Sequence, residues 1–302
     1  MDISIIVINY NTLKLTEETI NSVIEKTKQL KYEIILVDNA SNDGSQNYFE
    51  KEYKYRSEIK FIKSEVNLGF GKANNLGIKN SKGKYVFLLN SDTILVNNAI
   101  KILFDYMEKN ICVGICGANL YSQRLVPIHS FSQKLPSIKS EIESIFLIPT
   151  IKKRIFKKRA DFNYSKFPKE VGYITGADMM IRKEILENSY FFDPDFFMYY
   201  EETELTNRVK KLGYKIISIP EAKIIHLEGQ SFEFKEHRSR MMYESRYKYF
   251  NKVYGVKSLK WSYSILILNL VFKFLITFKN QYLKMIKINK EEYYKYKLTL
   301  KN

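Results

Sequence analysis

A chain of 302 residues in which 45% of positions are hydrophobic is long enough for one large domain or two small ones, and too apolar to belong to the disordered class. Its 49 Lys and Arg against 33 Asp and Glu leave a formal charge of +16, which points to an anionic partner such as nucleic acid, a lipid headgroup or a phosphorylated substrate. Two cysteines, Cys112 and Cys116, are too few for a disulfide framework, and no His cluster or second Cys pair beside them offers a zinc site. Both are expected as small buried residues of a protein in a reducing cytosol.

The N-terminal apolar run, residues 3–8, is too short and follows too closely on Asp2 for a secretory signal, and it is expected as a first strand. Through the first half, short β-branched runs alternate with longer amphipathic stretches, the pattern of βαβ units on a mostly parallel sheet. Strands are expected at 3–9, 33–39, 59–64 and 84–90, and helices at 13–30, 44–52 and 71–80, with Gly83 as a stop signal beyond the last. In such sheets ligands bind beyond the carboxyl ends of the strands. Those ends read Asn9-Tyr10-Asn11, Asp38-Asn39 and Asn90-Ser91-Asp92, so every strand but one delivers Asn or Asp to the same rim. The apolar run from Tyr85 to Leu89 that ends in Asn90-Ser91-Asp92 is the sharpest case, because a carboxylate at the tip of a buried strand needs water, a partner or a metal.

From Ser122 to Lys169 periodicity weakens and the chain turns basic, above all at 152–159, which is expected as a long excursion. Order returns at 171–186 and 191–216, where Thr203 to Leu212 reads as a helix closed by Gly213, with Lys210 and Lys211 in its last turn as the macrodipole favours. A strand at 215–220 follows, then an apolar run that ends at His226. The tail differs in composition. Eleven lysines from Lys252 to Lys301 face only Glu291 and Glu292, so over half of the excess charge lies there. The run from Trp261 to Phe278 falls just short of the ~20 residues of a spanning helix. With Asn269 and Lys273 inside it and Trp, Tyr and Lys at its flanks, it reads as an interfacial helix or as one packed on the domain. The boundary between domain and extension is expected at 255/256.

Several short stretches carry possible chemistry. Residues 67–78, NLGFGKANNLGI, open like a dinucleotide fingerprint but carry Asn74 in place of its third glycine, and no P-loop occurs; what remains is a turn and a helix N-terminus, a place that holds phosphate through free N–H groups. Asp92 by itself makes a weak metal site. Magnesium prefers oxygen ligands, manganese also accepts imidazole, and His226 would supply one. Glu201 and Glu202 follow Phe196-Phe197-Met198-Tyr199-Tyr200. Lost hydration and mutual repulsion raise a carboxylate pKa there while a helix N-terminus lowers it, a balance that leaves one group ionised yet basic enough to accept a proton. Each stretch alone reads better as a surface turn, a core histidine or a helix cap.

Taken in order, VINYN, ILVDNASNDGS, NLGFGKANNLGIKNSKGKYVFLLNSDT, TGADMMIRKE, FDPDFFMYYEETELTNRVKKLGYK, the histidine of IIHLEGQS and ESRYKYFNKVYG resemble the family-2 glycosyltransferases of the GT-A fold, especially the rhamnosyltransferase-like branch of bacterial surface-polysaccharide synthesis. The resemblance implies an α/β fold with a mostly parallel mixed sheet flanked by helices, and transfer of a sugar from a nucleotide donor, UDP- or dTDP-linked, to an acceptor hydroxyl with inversion. It implies donor contacts from Val7, Asn9, Asn11, Asp38, Asn67, Lys72, Asn90, Ser91, Asp92 and Gly176. It places Asp92 and His226 on a divalent Mn2+ or Mg2+ ion, and Glu202, beside Glu201, as the catalytic base in a pair the family usually writes Glu-Asp. The basic apolar tail and the family together imply a lipid-linked saccharide acceptor and a peripheral position on the cytosolic leaflet of the cell membrane. Two other readings compete: a basic, aromatic-rich nucleic-acid binder, and a non-catalytic member of the fold that only binds nucleotide. Against the first, the charge clusters beside an apolar tail, which suits an anionic membrane surface better.

Overall fold

Side chains alternate along the first strand, and that alternation sets the layers. In β1 (Ile3–Asn9), Ile3, Ile5 and Val7 join a core cluster with Ile20 and Val23 of α1 (Leu13–Lys26), Phe49 of α2 (Ser45–Glu52) and Leu103 and Met107 of α4 (Ala99–Lys109). Ile6 faces the other way, into a cluster with Ile78 of α3 (Gly69–Lys79) and Leu205 and Val209 of α6 (Glu201–Lys211). Both faces of the sheet are therefore covered, which is why its central strands read as nearly unbroken apolar runs. Each fully buried aliphatic side chain contributes about 1.5–3 kcal/mol of transfer free energy. The computed structural model describes residues 1–146, 159–186, 191–227 and 235–300.

The remaining strands are β2 (Tyr32–Asn39), β3 (Ile59–Ser64), β4 (Tyr85–Asn90), β5 (Thr93–Leu95), β6 (Val113–Tyr121), β7 (Phe131–Ser132), β8 (Lys169–Glu170), β9 (Tyr173–Ile174), β10 (Asp178–Arg182) and β11 (Lys215–His226). The main sheet runs β3-β2-β1-β4-β10-β6-β11-β5, with β8 added on β11, and β7 pairs with β9 in a separate ladder. Neighbours among β3, β2, β1 and β4 are parallel; β10 is antiparallel to both β4 and β6, so β6 and β11 regain the direction of β4. This is the α/β architecture with a mostly parallel mixed sheet that the family resemblance implies.

Departures from the expected elements have local causes. Helix α1 stops at Lys26 because Thr27 is extended and Gln29 adopts a left-handed backbone to turn the chain into β2. Residues 93–121, for which the pattern specifies no element, fold as β5, α4 and β6. The expected strand at 215–220 and the apolar run after it are one strand of twelve residues, and its register shift between Ile219 and Lys223 accommodates Pro220. Cys116 is buried in β6, whereas Cys112, in the turn before it, is exposed, contrary to its expected burial. Most of the basic run 152–159 lies outside the described residues.

Three long helices close the chain: α7 (Lys235–Tyr254), α8 (Val256–Thr277) and α9 (Gln281–Thr299). Tyr243 and Tyr247 of α7, Leu259 of α8 and Ile288 and Tyr293 of α9 share a core of their own. Helix α8 is longer than the apolar run in the sequence. Its first half buries Ser258, Leu259, Ser262 and Ile265, while Leu268, Phe272, Leu275 and Ile276 in its last turns are exposed. Among the described residues it is the one helix long and apolar enough, by length and composition, to cross a membrane.

Candidate active site

Because β1, β2, β4, β6 and β11 share one direction, their carboxyl ends meet at one rim. The register sets Asn9 opposite Asp38 and Ile8 opposite Asn90, so the three polar strand tips are neighbours. Asn9 is fully buried and donates from Nδ2 to Asp38 Oδ2 at 2.6 Å and to Ser41 Oγ at 2.9 Å; its Oδ1 accepts the Thr12 and Thr16 hydroxyls at 3.0 and 2.8 Å. Asp38, also fully buried, takes two more donors on Oδ1, the Ser41 N–H at 2.9 Å and Gln46 Nε2 at 2.8 Å. Three donors hold this carboxylate, so in this structure it fixes the loop after β2. Asn11, exposed and with a left-handed backbone, accepts the Asn42 N–H at 2.8 Å and ties the first two rim loops together. Ser41, Thr12 and Gln46 complete this network, and short polar residues in loops carry no sequence signal that separates them from ordinary turn formers.

Past Asn90 the chain turns into β5, which runs antiparallel to β11 with Thr93 opposite His226. That pairing, together with the Leu227 N–H on the Asp92 carbonyl at 2.9 Å, sets Asp92 beside His226. Asp92 is buried, and its Oδ1 stands 3.2 Å from His226 Nε2; Asn90 Nδ2 is 3.5 Å from the same nitrogen. Ser91 is half-buried, its hydroxyl 3.1 Å from that of Thr12. The two side chains are in direct contact, and a carboxylate oxygen with an imidazole nitrogen is a pair of ligand types that a divalent ion such as manganese accepts. His226 Nδ1 is buried with no hydrogen-bond partner among the described residues. No group of three or more His, Cys, Asp or Glu side chains suited to a metal occurs among the described residues, so Asp92 and His226 would hold an ion that takes its further ligands from elsewhere.

A second wall comes from α3, β9 and the turn before α6. Phe70 N–H donates to the Phe197 carbonyl at 2.8 Å. This approach requires glycine at 69, where φ is +78° and a Cβ would stand 2.3 Å from that carbonyl oxygen. The Ala177 carbonyl accepts the Asn90 N–H at 3.0 Å, and Gly176 lies where a Cβ would touch the Phe70 ring, so the segment from Tyr173 to Ala177 links the Asn90 side of the rim to the aromatic turn. Asn67 caps the entry to α3, accepting the Gly69 N–H at 2.9 Å and Asn39 Nδ2 at 3.0 Å. Lys72 is exposed on the same helix, on the side of Asp195. Val7, by contrast, is fully buried in the core below the rim and is not brought to it.

Helix α6 begins at Glu201, two residues earlier than the pattern indicates, so both glutamates sit in its first turn behind Tyr199 and Tyr200, each with a left-handed backbone. Burial and then the negative charge of Glu202 push Glu201 well above the carboxylate range, and its Oε2 has no partner among the described residues. Burial pushes Glu202 up to about 7. Tyr173, absent from the sequence-based candidates, lies in the field of Glu202, its phenol raised to about 12 chiefly by burial.

The family model for glycosyl transferase family 2 matches residues 4–189, which takes in every element of the rim up to β10. The chain belongs to glycosyl transferase family 2. Among family members it is 29% identical over 218 residues, 68% of its length, to the poly(ribitol-phosphate) beta-N-acetylglucosaminyltransferase TarP of Staphylococcus aureus, of which the match spans 65%. It is 26% identical over 290 residues to an uncharacterized glycosyltransferase, MJ1057, of Methanocaldococcus jannaschii, covering 92% of this chain and 94% of the other. The fold matches the mannosyltransferase PcManGT of Pyrobaculum calidifontis, solved with GDP-Man and Mn2+, at a TM-score of 0.57 and 12% identity, over 96% of this chain and 84% of that one. The GT-A architecture of this family 2 chain is thus shared.

The raised Glu202 carboxyl has a measurable cost. Between its unfolded value of 4.5 and about 7 the folded protein keeps a proton that the unfolded chain has lost, so stability falls as pH rises through that window and the cost is complete above it. Glu202→Gln removes the titration. Its melting temperature should exceed that of the unsubstituted protein at pH 8, with the advantage shrinking towards pH 4.5; a difference that does not change between the two pH values contradicts the buried assignment.

Proposed function

We propose that this family 2 glycosyltransferase is an inverting enzyme that moves a hexose from a nucleoside-diphosphate donor to a hydroxyl of a lipid-linked saccharide in surface-polysaccharide synthesis. The observation that carries the reading is the Asp92–His226 pair, 3.2 Å apart at the carboxyl rim of a GT-A sheet, joined through the 173–177 segment to a half-buried Glu202 whose carboxyl is pushed up to about 7. Asn11 takes the pyrimidine and ribose with the loop that Asp38 holds, while Asn9, fully buried with its amide satisfied by Asp38, Ser41, Thr12 and Thr16, supports that loop from beneath instead of touching the donor. Asn67, Lys72 and Gly176 flank the diphosphate, and Asn90, Ser91 and Asp92 lie beneath it. Asp92 and His226 would hold a divalent Mn2+ or Mg2+ ion, whose chemistry there would be Lewis-acid stabilisation of the departing diphosphate. Glu202 accepts the proton of the attacking hydroxyl; burial pushes its carboxyl up to about 7, which makes it a stronger base than an ordinary carboxylate. Glu201, held neutral beside it, adds no second charge to be desolvated. Attack from the side of Glu202 on a carbon whose leaving group faces the Asp92 side is a single displacement, hence inversion.

Rhamnose from dTDP is the first donor to test, on the motif resemblance to the rhamnosyltransferase-like branch, and N-acetylglucosamine from UDP the second, on the likeness to TarP. Release of nucleoside diphosphate across a panel of UDP- and dTDP-sugars identifies the donor. With it, Asp92→Ala and Glu202→Gln should each lower turnover by about 100-fold or more. Unchanged donor turnover in both variants would falsify catalysis at this site, whereas nucleotide binding with no turnover of any donor in the panel would favour a protein that only binds nucleotide.

The chain divides on this reading into a catalytic domain, 1–255, and an extension, 256–302, that lies on the cytosolic face of the membrane. Exposed Trp261, Leu268, Phe272, Leu275 and Ile276 on α8 and Phe278 just beyond it, among the lysines of the tail, are suited to an anionic bilayer surface. The full-length protein should float with phosphatidylglycerol vesicles at low salt and lose that binding when Leu268, Phe272, Leu275 and Ile276 are changed together to Ser. Equal flotation of the two proteins removes α8 from the account.

A further inference from the structure

The segment that carries the catalytic glutamates is irregular from Asp193 to Tyr200 and ends in two left-handed residues, Tyr199 and Tyr200. Such a backbone keeps its shape only where its surroundings over-determine it. Those surroundings are supplied by α7. Ser245 Oγ donates to the Met198 carbonyl at 2.6 Å, Lys248 Nζ to the Asp195 carbonyl at 2.7 Å, and Lys252 Nζ pairs with Asp193 Oδ2 and Asp195 Oδ2 at 2.7 and 2.6 Å. The ring of Tyr249 lies 5.3 Å from that of Tyr200, and Phe196, Tyr249 and Phe250 form a small core with both parts.

At the centre of this contact is a buried cation. The Arg246 guanidinium, 7% exposed, lies over the Phe250 ring at 5.1 Å. It donates to the Tyr200 hydroxyl at 3.4 Å, to the Glu141 carboxylate of α5 (Ile138–Phe146), and to the Ser262 carbonyl of α8 at 3.4 Å. Four separate elements thus meet on one planar fork of donors, a geometry lysine cannot reproduce. Tyr200 is the residue immediately before Glu201-Glu202, and its carbonyl accepts the Glu204 N–H at 2.8 Å, starting the helix on which the glutamates stand. Arg246 is too costly a group to bury for packing alone, and a hydrophobic side chain would fill the volume without the desolvation penalty.

We propose that Arg246 is a positioning residue for the catalytic base: by fixing Tyr200 against α5 and α8 it sets the start of α6, and with it the place of the Glu202 carboxylate. The proposal rests on the reading of Glu202 as the base. It makes the C-terminal helices part of the catalytic apparatus, since the strap that orients the base is anchored in the helix that presents the exposed apolar face.

The test compares full-length Arg246→Met, Arg246→Lys, Tyr200→Phe and Glu202→Gln for kcat, for donor KM and for direct binding of the nucleoside diphosphate with Mn2+. Arg246→Met should lower kcat by about 100-fold, the loss expected when a reacting group is displaced by about 1 Å, while donor KM and nucleotide binding stay within about twofold. Arg246→Lys should recover part of the kcat, and Tyr200→Phe should show a smaller loss of the same kind. Wild-type kcat in Arg246→Met, or parallel losses in kcat and nucleotide binding, overturns the proposal. If Arg246→Met does not fold, wild-type kcat in both Tyr200→Phe and Arg246→Lys overturns it in the same way. Full activity in Glu202→Gln sinks the base assignment itself, a result distinct from an inactive Glu202→Gln beside a fully active Arg246→Met.

Discussion

The shared direction of the strands is the constraint on which the site depends. Parallel pairing of β2, β1 and β4 in the register Asn9 opposite Asp38 and Ile8 opposite Asn90 brings three polar strand tips together that lie up to 81 positions apart in the chain. A slip of one residue would turn the tips away from one another and expose the apolar rows that now face the helices. The antiparallel pairing of β5 with β11 then does for Asp92 and His226 what parallel pairing does for the tips. Neither residue makes a metal site alone; the ladder makes them neighbours.

The opposite wall is built on different terms. Burying two adjacent carboxylates is unfavourable, and the raised pKa of both is the form that cost takes. Such an arrangement persists because the turn before α6 is held from two sides: by the Phe70 N–H on the Phe197 carbonyl, and by Ser245, Arg246, Lys248 and Lys252 of α7. A carboxyl poised near neutral pH and a rigid, over-determined turn are then two aspects of one arrangement, since a loose turn would let water reach the carboxylates and return them to the ordinary range.

What could be read from the residues alone follows from which signals are local. The central strands were legible because burial on both faces leaves long β-branched runs, and the rim because Asn9, Asp38 and Asn90-Ser91-Asp92 interrupt those runs at their ends. His226 was legible only through the family motif, since a histidine after an apolar run is more often structural. The start of α6 at Glu201 was not readable, because it is set by the left-handed backbones of Tyr199 and Tyr200, which bulky aromatic residues give no reason to expect. Nor was the role of Arg246, whose partners Glu141, Tyr200 and Ser262 come from three elements and whose sequence neighbourhood reads as an ordinary charged helix. The exposed Cys112 and the buried Cys116, four residues apart, make the same point: composition gave both the same expectation, and the turn before β6 separates them.

The central claim is that Asp92 and His226 form half of a metal site that the donor completes. Titration of Mn2+ into the full-length protein, followed calorimetrically with and without a saturating nucleoside diphosphate, tests it most directly. The account predicts weak binding to the nucleotide-free protein, a marked tightening when the diphosphate is present, and loss of that tightening in Asp92→Ala. Tight Mn2+ binding without nucleotide, or a tightening that survives Asp92→Ala unchanged, would contradict it.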